Sequence, residues 1–191
     1  MLTNVRAIGT KEGLDMPADE KPFADKVPTD VFNRAVHVFI KLNALCGYAD
    51  LKASEVFAQM VRGVEDVKSM LRQADPACRY KIDQPPTSPD RTPGDVFEMC
   101  LNTREQINVM RQAFGMETIP VPEMSFRDDV RPRDVFFQTQ IIIAELNLLK
   151  KPLETKSSSP LPIPVSDKTP TDVHEQATMI LYLLKQVKLP K

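Results

Sequence analysis

Along this chain the apolar positions recur at a spacing that alternates four and three residues, five times over. Counted from acidic residues at 30, 55, 95, 134 and 172, positions +1, +5, +8, +12 and +15 are apolar in nearly every copy. They read Val31, Ala35, Val38, Leu42, Leu45; then Val56, Met60, Gly63, Val67, Met70; then Val96, Cys100, Thr103, Ile107, Met110. The last two sets are Val135, Thr139, Ile142, Leu146, Leu149 and Val173, Ala177, Ile180, Leu184, Val187. Such alternation is the seam of helices packed at shallow angles, knobs into holes. Position +2 (Phe32, Phe57, Phe97, Phe136, His174) and most of +9 (Phe39, Val64, Ile143, Leu181) widen the seam into a core-facing stripe. The spacing predicts helices over about 29–46, 54–74, 94–114, 133–150 and 171–188.

One phrase opens each of these stretches. Pro28-Thr29-Asp30-Val31-Phe32 recurs as Pro93-Gly94-Asp95-Val96-Phe97, Pro132-Arg133-Asp134-Val135-Phe136 and Pro170-Thr171-Asp172-Val173-His174, with Ala53-Ser54-Glu55-Val56-Phe57 as a degenerate copy. None of the 17 prolines falls inside the five predicted helices, although several sit at their first turns. Proline inside a helix costs about 3 kcal/mol, whereas at the first helical position its missing N–H is harmless. The chain therefore reads as all-α: a bundle or array of about five helices, one helical unit used repeatedly.

The connectors divide the chain further. About seven residues including Gly47 join the first two helices, which predicts an antiparallel hairpin over 26–75. Single-helix units then occupy 76–115, 116–151 and 152–191, and residues 1–25 form a flexible arm ahead of one domain, 26–191. The later connectors are long and contain Ile82-Asp83-Gln84-Pro85-Pro86, Ile119-Pro120-Val121-Pro122 and Leu161-Pro162-Ile163-Pro164-Val165. Alternating aliphatic and proline residues favour an extended path. An 18-residue helix is about 27 Å long and nine extended residues retrace it. Each long connector is thus expected to run back along the bundle with its aliphatics in a groove, making some successive helices parallel.

The repeated acid is best explained as a helix cap. In Thr92-Pro93-Gly94-Asp95 and Thr169-Pro170-Thr171-Asp172 the Thr stands at N-cap and the acid three residues on, the capping-box arrangement. Asp30, Glu55, Asp95, Asp134 and Asp172 all take this structural role, favoured also by the helix dipole. Where the copies disagree, a contact site is conceivable. Gly63 interrupts one seam, Thr103 and Arg104 stand where other copies are apolar, and His174 replaces Phe. A gap beside Gly63 facing Thr103 and Arg104 would take a small anionic or polar ligand. The competing reading places that helix at the periphery, with Arg104 reaching water along its stem. Asn43, Asn108 and Asn147, all at +13, are solvated or bond a returning connector.

Composition adds mainly exclusions. Lys plus Arg (25) nearly balance Asp plus Glu (26) with no basic run, so neither nucleic acid nor an anionic membrane surface is an expected partner. The longest apolar runs fall far short of a membrane span. His174-Glu175-Gln176-Ala177-Thr178 starts like a zinc-protease helix but lacks the second His, and the six glycines form no phosphate loop. No catalytic residue, metal site or cofactor is expected. Cys46, Cys78 and Cys100 make no disulfide framework, although a Cys78–Cys100 bridge is possible in an oxidising compartment. Residues 1–25 hold no apolar stretch of a signal peptide, so the chain reads as cytoplasmic if its start is native and as exported if processed. These observations point to a non-enzymatic scaffold or protein-interaction module of the kind that serves as one component of a larger assembly; the alternatives are a ligand-binding or sensory bundle and, more distantly, an enzyme without recognisable motifs.

Overall fold

A computed structural model describes residues 38, 51–75, 89–123 and 129–189, all within the unit Val36–Lys191. Among the described residues the protein is all-helical, with four long helices and no strand. They are α1 (Ala53–Ala74), α2 (Pro93–Ala113), α3 (Pro132–Lys150) and α4 (Pro170–Leu184). The predicted first helix, the hairpin it forms with α1 and the 1–25 arm lie outside the described residues. Of the first copy only Val38 is described; it is helical and 53% exposed, so it does not lie in this core as its seam position implies.

Each helix starts through its acid. The backbone N–H groups of Lys52, Thr92, Arg131 and Thr169 donate to Glu55, Asp95, Asp134 and Asp172 at 2.9, 2.7, 2.9 and 2.8 Å. Thr92 and Thr169 reciprocate by accepting from the Asp95 and Asp172 N–H groups at 3.2 and 3.3 Å. Lys52 and Arg131 offer no such oxygen, so there the carboxylate acts alone. Pro93, Pro132 and Pro170 occupy the first helical position.

The seam is the core. Val56, Val96, Val135 and Val173 are buried, as are Met60, Cys100, Thr139 and Ala177 one layer on. Gly63, Thr103, Ile142 and Ile180 follow, then Val67, Ile107, Leu146 and Leu184, and then Met70, Met110, Leu149 and Val187. Burying one such aliphatic side chain is worth about 1.5–3 kcal/mol, so the layers dominate stability. α4 ends at Leu184, a few residues short of the predicted 188, yet Val187 still packs from the following turn. The Thr103 and Thr139 hydroxyls are satisfied inside their own helices, donating to the carbonyls of Met99 and Val135 at 2.8 and 2.9 Å.

α1 packs on α3 and α4, and α2 packs on the same two, so α1 faces α2 across the axis and α3 faces α4. All four helices run the same way. Ala53, Pro93, Pro132 and Pro170, the first residues of each, line one apolar mouth together with the four seam valines. Interhelical charges agree with this direction. With +1 and +8 as coiled-coil d positions, +11 is a g position and +16 an e position, which face each other between parallel neighbours. Asp66 (+11 in α1) and Lys150 (+16 in α3) form such a pair, 2.6 Å apart and buried.

Over their described residues the connectors after α2 and α3 make this possible by retracing the bundle, and the stretch Ile82-Asp83-Gln84-Pro85-Pro86 after α1 lies outside the described residues. After α2, Arg111 Nε donates to the Glu117 carbonyl, Asn108 bonds Ile119, and Arg104 donates to the Pro120 carbonyl. The connector therefore descends α2 in reverse. After α3, Ser159 meets Asp66, the Pro160 carbonyl meets Arg62, and the Lys168 N–H meets Ser54, which is descent along α1. Asp90 and Asp167, each five residues before a capping acid, take φ of 62° and 59° where the chain turns back in. Asp tolerates that left-handed conformation through its short polar side chain.

Candidate interaction surface

The residues that set the copies apart do not converge. Gly63 and Thr103 share one core layer, but an added Cβ on Gly63 would stand 2.8 Å from Ile180 Cδ1 and 4.0 Å from Leu146 Cδ1. Ile180 occupies the space beside the glycine, so the expected gap is closed. The glycine is there to admit a bulky neighbour from α4.

Arg104 points away from that layer into the α2–α3 interface. It is 4% exposed, so the peripheral reading with a guanidinium in water is overturned. Its Nε donates to Glu145 Oε1 at 3.2 Å, Nη1 to Gln138 at 3.2 Å and Nη2 to the Pro120 carbonyl at 3.3 Å. Burial pushes the Glu145 carboxyl above its usual range, opposed by the Arg104 and then the Arg111 charge. Sequence reasoning missed Asp66, Arg111, Glu145 and Lys150. A usable signal was present: acids at +11 in α1 and α3, bases at +16 in α2 and α3.

His174 lies at the mouth end on α4. Burial lowers its pKa, and the Arg91 charge adds to that. Lys168, the residue before the next N-cap, stands over the Phe57 ring at 4.8 Å, so +2 residues pack beneath the basic residue that precedes a neighbouring helix. Two hydroxyls stitch the same ring: Thr171 Oγ1 accepts from the Arg91 N–H and Ser54 Oγ from the Lys168 N–H, each at 3.1 Å.

Cys78 lies outside the described residues, and Cys100 is a free thiol in the core. Burial raises its pKa to about 12, which makes it inert as a nucleophile. Among the described residues, no three of His, Cys, Asp and Glu gather as a metal-binding group, and no helix is long and apolar enough to cross a membrane. The capping carboxylates face their own N-cap groups, and hydrogen bonds from Thr169 hold Asp172 below the ordinary Asp range.

The exposed chemistry lies in the connectors. Asn108 accepts from the Ile119 N–H at 2.9 Å and donates to its carbonyl at 2.7 Å, gripping the connector as a strand edge would. Ile119 is 5% exposed beneath that clamp. Asn147 holds the same +13 position on α3, but its Oδ1 only accepts from the Ser159 hydroxyl at 3.1 Å. Here the aliphatics point outward: Leu161 is 85% exposed and Ile163 75%, with Val165 also exposed. For this connector the expectation of aliphatics in a groove is wrong. Both connectors leave their helix alike, through residues at +20 with positive φ (Gly115 and Glu154), but at +24 the first presents Ile119 and the second Ser158. The serine run Ser157–Ser159 displaces the aliphatic–proline motif past its seat.

The strap Ser159–Val165 is stiff nonetheless. Pro160, Pro162 and Pro164 have fixed φ, and each residue before a proline is confined to extended conformations. Its start is pinned by Ser159 to Asp66 at 2.7 Å and by Arg62 Nε to the Pro160 carbonyl at 2.6 Å. Comparison with family models, with curated proteins and with solved structures finds no match.

Proposed function

We propose that the chain is a non-enzymatic scaffold, one helix-starting unit repeated around an axis and joined by long proline-rich connectors, that binds a protein partner through the strap Pro160–Val165. The observation that carries this reading is the outward placement of Leu161 and Ile163 on a backbone already fixed by three prolines. Ordering a binding segment is a main cost of association, and a pre-extended strap has lost most of that freedom beforehand. The buried charges speak for architecture over chemistry, since Arg104 is satisfied by Glu145 and Lys150 by Asp66.

The test is a pull-down from the native source with the wild-type chain and a Leu161→Asp/Ile163→Asp variant, analysed by mass spectrometry. A partner retained by the wild type and lost from the variant, at unchanged melting temperature, supports the proposal. Equal retention by both chains overturns it.

A further inference from the structure

The strap by itself is a small interface. Three aliphatic side chains bury a few hundred Å² at most, against the roughly 800 Å² per partner of a stable complex. Whatever binds there must bring more surface with it. Resting on the reading of the strap as the interaction surface, we infer that the partner is a second copy of this chain, taken up by reciprocal exchange of α4. Exchange supplies a large interface without new surface, because α4 meets the same seam residues in the neighbour's ring as in its own.

Three features of the molecule single out α4. Among the described helices it is the shortest, 15 residues, and it follows a connector with length to spare. Between Pro160 beside Arg62 and Lys168 beside Ser54, the strap covers eight helical residues, about 12 Å, with eight residues able to span about 27 Å. Next, among the described residues both buried ion pairs belong to α3, through Lys150 and Glu145. At +11, where α1 and α3 carry those acids, α4 has the buried Leu183, so among the described residues no buried ion pair fixes α4 to its own chain, and the Lys188–Asp75 pair just past its end is exposed on the lysine side. Finally, Ser157–Ser166 contains no charged residue, so two straps brought together meet no repulsion. In the exchanged dimer they cross between the two rings and cover each other's Leu161 and Ile163.

The experiment uses the full chain with Cys46 and Cys78 replaced by Ser and the pair Arg91→Cys/Thr171→Cys. The Arg91 N–H and Thr171 Oγ1 are 3.1 Å apart, which places the two residues side by side where the starts of α2 and α4 meet. A second pair, Ser54→Cys/Lys168→Cys, gives an independent trap at the equivalent contact. Samples equilibrated from micromolar to millimolar are measured by light scattering, oxidised and run on non-reducing gels. The expected result is a dimer fraction that grows with concentration and is trapped as a covalent dimer. Adding Leu161→Asp/Ile163→Asp weakens dimerisation at least about tenfold at unchanged melting temperature, the disulfide then closing within one chain. Monomer at every concentration overturns the inference, as does a dimer whose disulfides close within each chain. A lower melting temperature of the monomeric Asp variant also overturns it, because the strap is then covered by its own chain. If self-association is absent but the Asp variant still loses a captured partner, exchange fails and the strap reading stands; if the variant changes neither, the strap reading falls as well.

Discussion

The connector after α2 and the connector after α3 begin alike and end differently. The first spends three residues, Glu117 to Pro120, on the length of α2 between Arg111 and Arg104, about 10 Å at full extension. It is taut, so Ile119 is drawn against the helices and Asn108 closes on its backbone. Between Pro160 and Lys168 the second has more than twice the length its path requires, and there it bows outward between its two pinned ends. The lesson is that an aliphatic–proline motif does not decide whether it is core or surface. Here the tightly spanned stretch buries its aliphatic, and the stretch with length to spare exposes its own.

The largest expected effect contrasts the two aliphatics. Ile119→Ala should cost about 2–5 kcal/mol, as for other buried aliphatic truncations, while Leu161→Ala should stay within about 0.5 kcal/mol. Thermal melts resolve this, at roughly 2–4 °C per kcal/mol for a chain of this size. Equal losses would mean that both connectors are docked.

The two asparagines come next. Asn108→Ala leaves the Ile119 N–H and carbonyl without their partner, at about 1–3 kcal/mol. Asn147→Ala removes only a bond to a serine hydroxyl and should change stability by less than about 0.5 kcal/mol. Hydrogen exchange at the Ile119 amide gives a direct readout, fast in Asn108→Ala and protected in Asn147→Ala.

The smallest effect concerns the residues that end the connectors. Lys168 stacks on Phe57, whereas Arg91 opposes a charge on His174. The folded pKa of His174 is lowered from 6.5, so below that pH the unfolded chain takes up the proton more readily. Its contribution to stability is therefore lost as pH falls from 6.5 through the folded value. Glu145 acts in the opposite sense, its raised pKa making stability fall as pH rises above 4.5. The difference between His174→Phe and wild type isolates the histidine: the variant should lose less melting temperature between neutral pH and mild acid. A parallel pair of pH profiles would show that His174 does not titrate as its surroundings dictate.

Much of the fold was legible because its signals are local. A proline at the first helical position, an acid three residues past the N-cap and an alternating seam are written within about 20 residues, and each acts through neighbours in sequence. The retracing of the connectors after α2 and α3 was legible too, from their length and proline content. The surface residues were less so. Arg104 looked like a charge beside a gap because the sequence does not show that Ile180 fills the space at Gly63 or that Glu145 waits across the interface. Those partners are separated from it by dozens of residues, and only packing brings them together.

The sequence by itself determined where each described helix begins, which face is buried and which residues share a layer, because helical geometry converts spacing into position without reference to the rest of the chain. Tertiary structure alone decided which of the four described helices are neighbours around the axis, that Asp66 meets Lys150 and Glu145 meets Arg104 in buried pairs, and that Ile119 is held while Leu161 is left in water. Those outcomes depend on distances between segments far apart in sequence and on how much connector is available to span them.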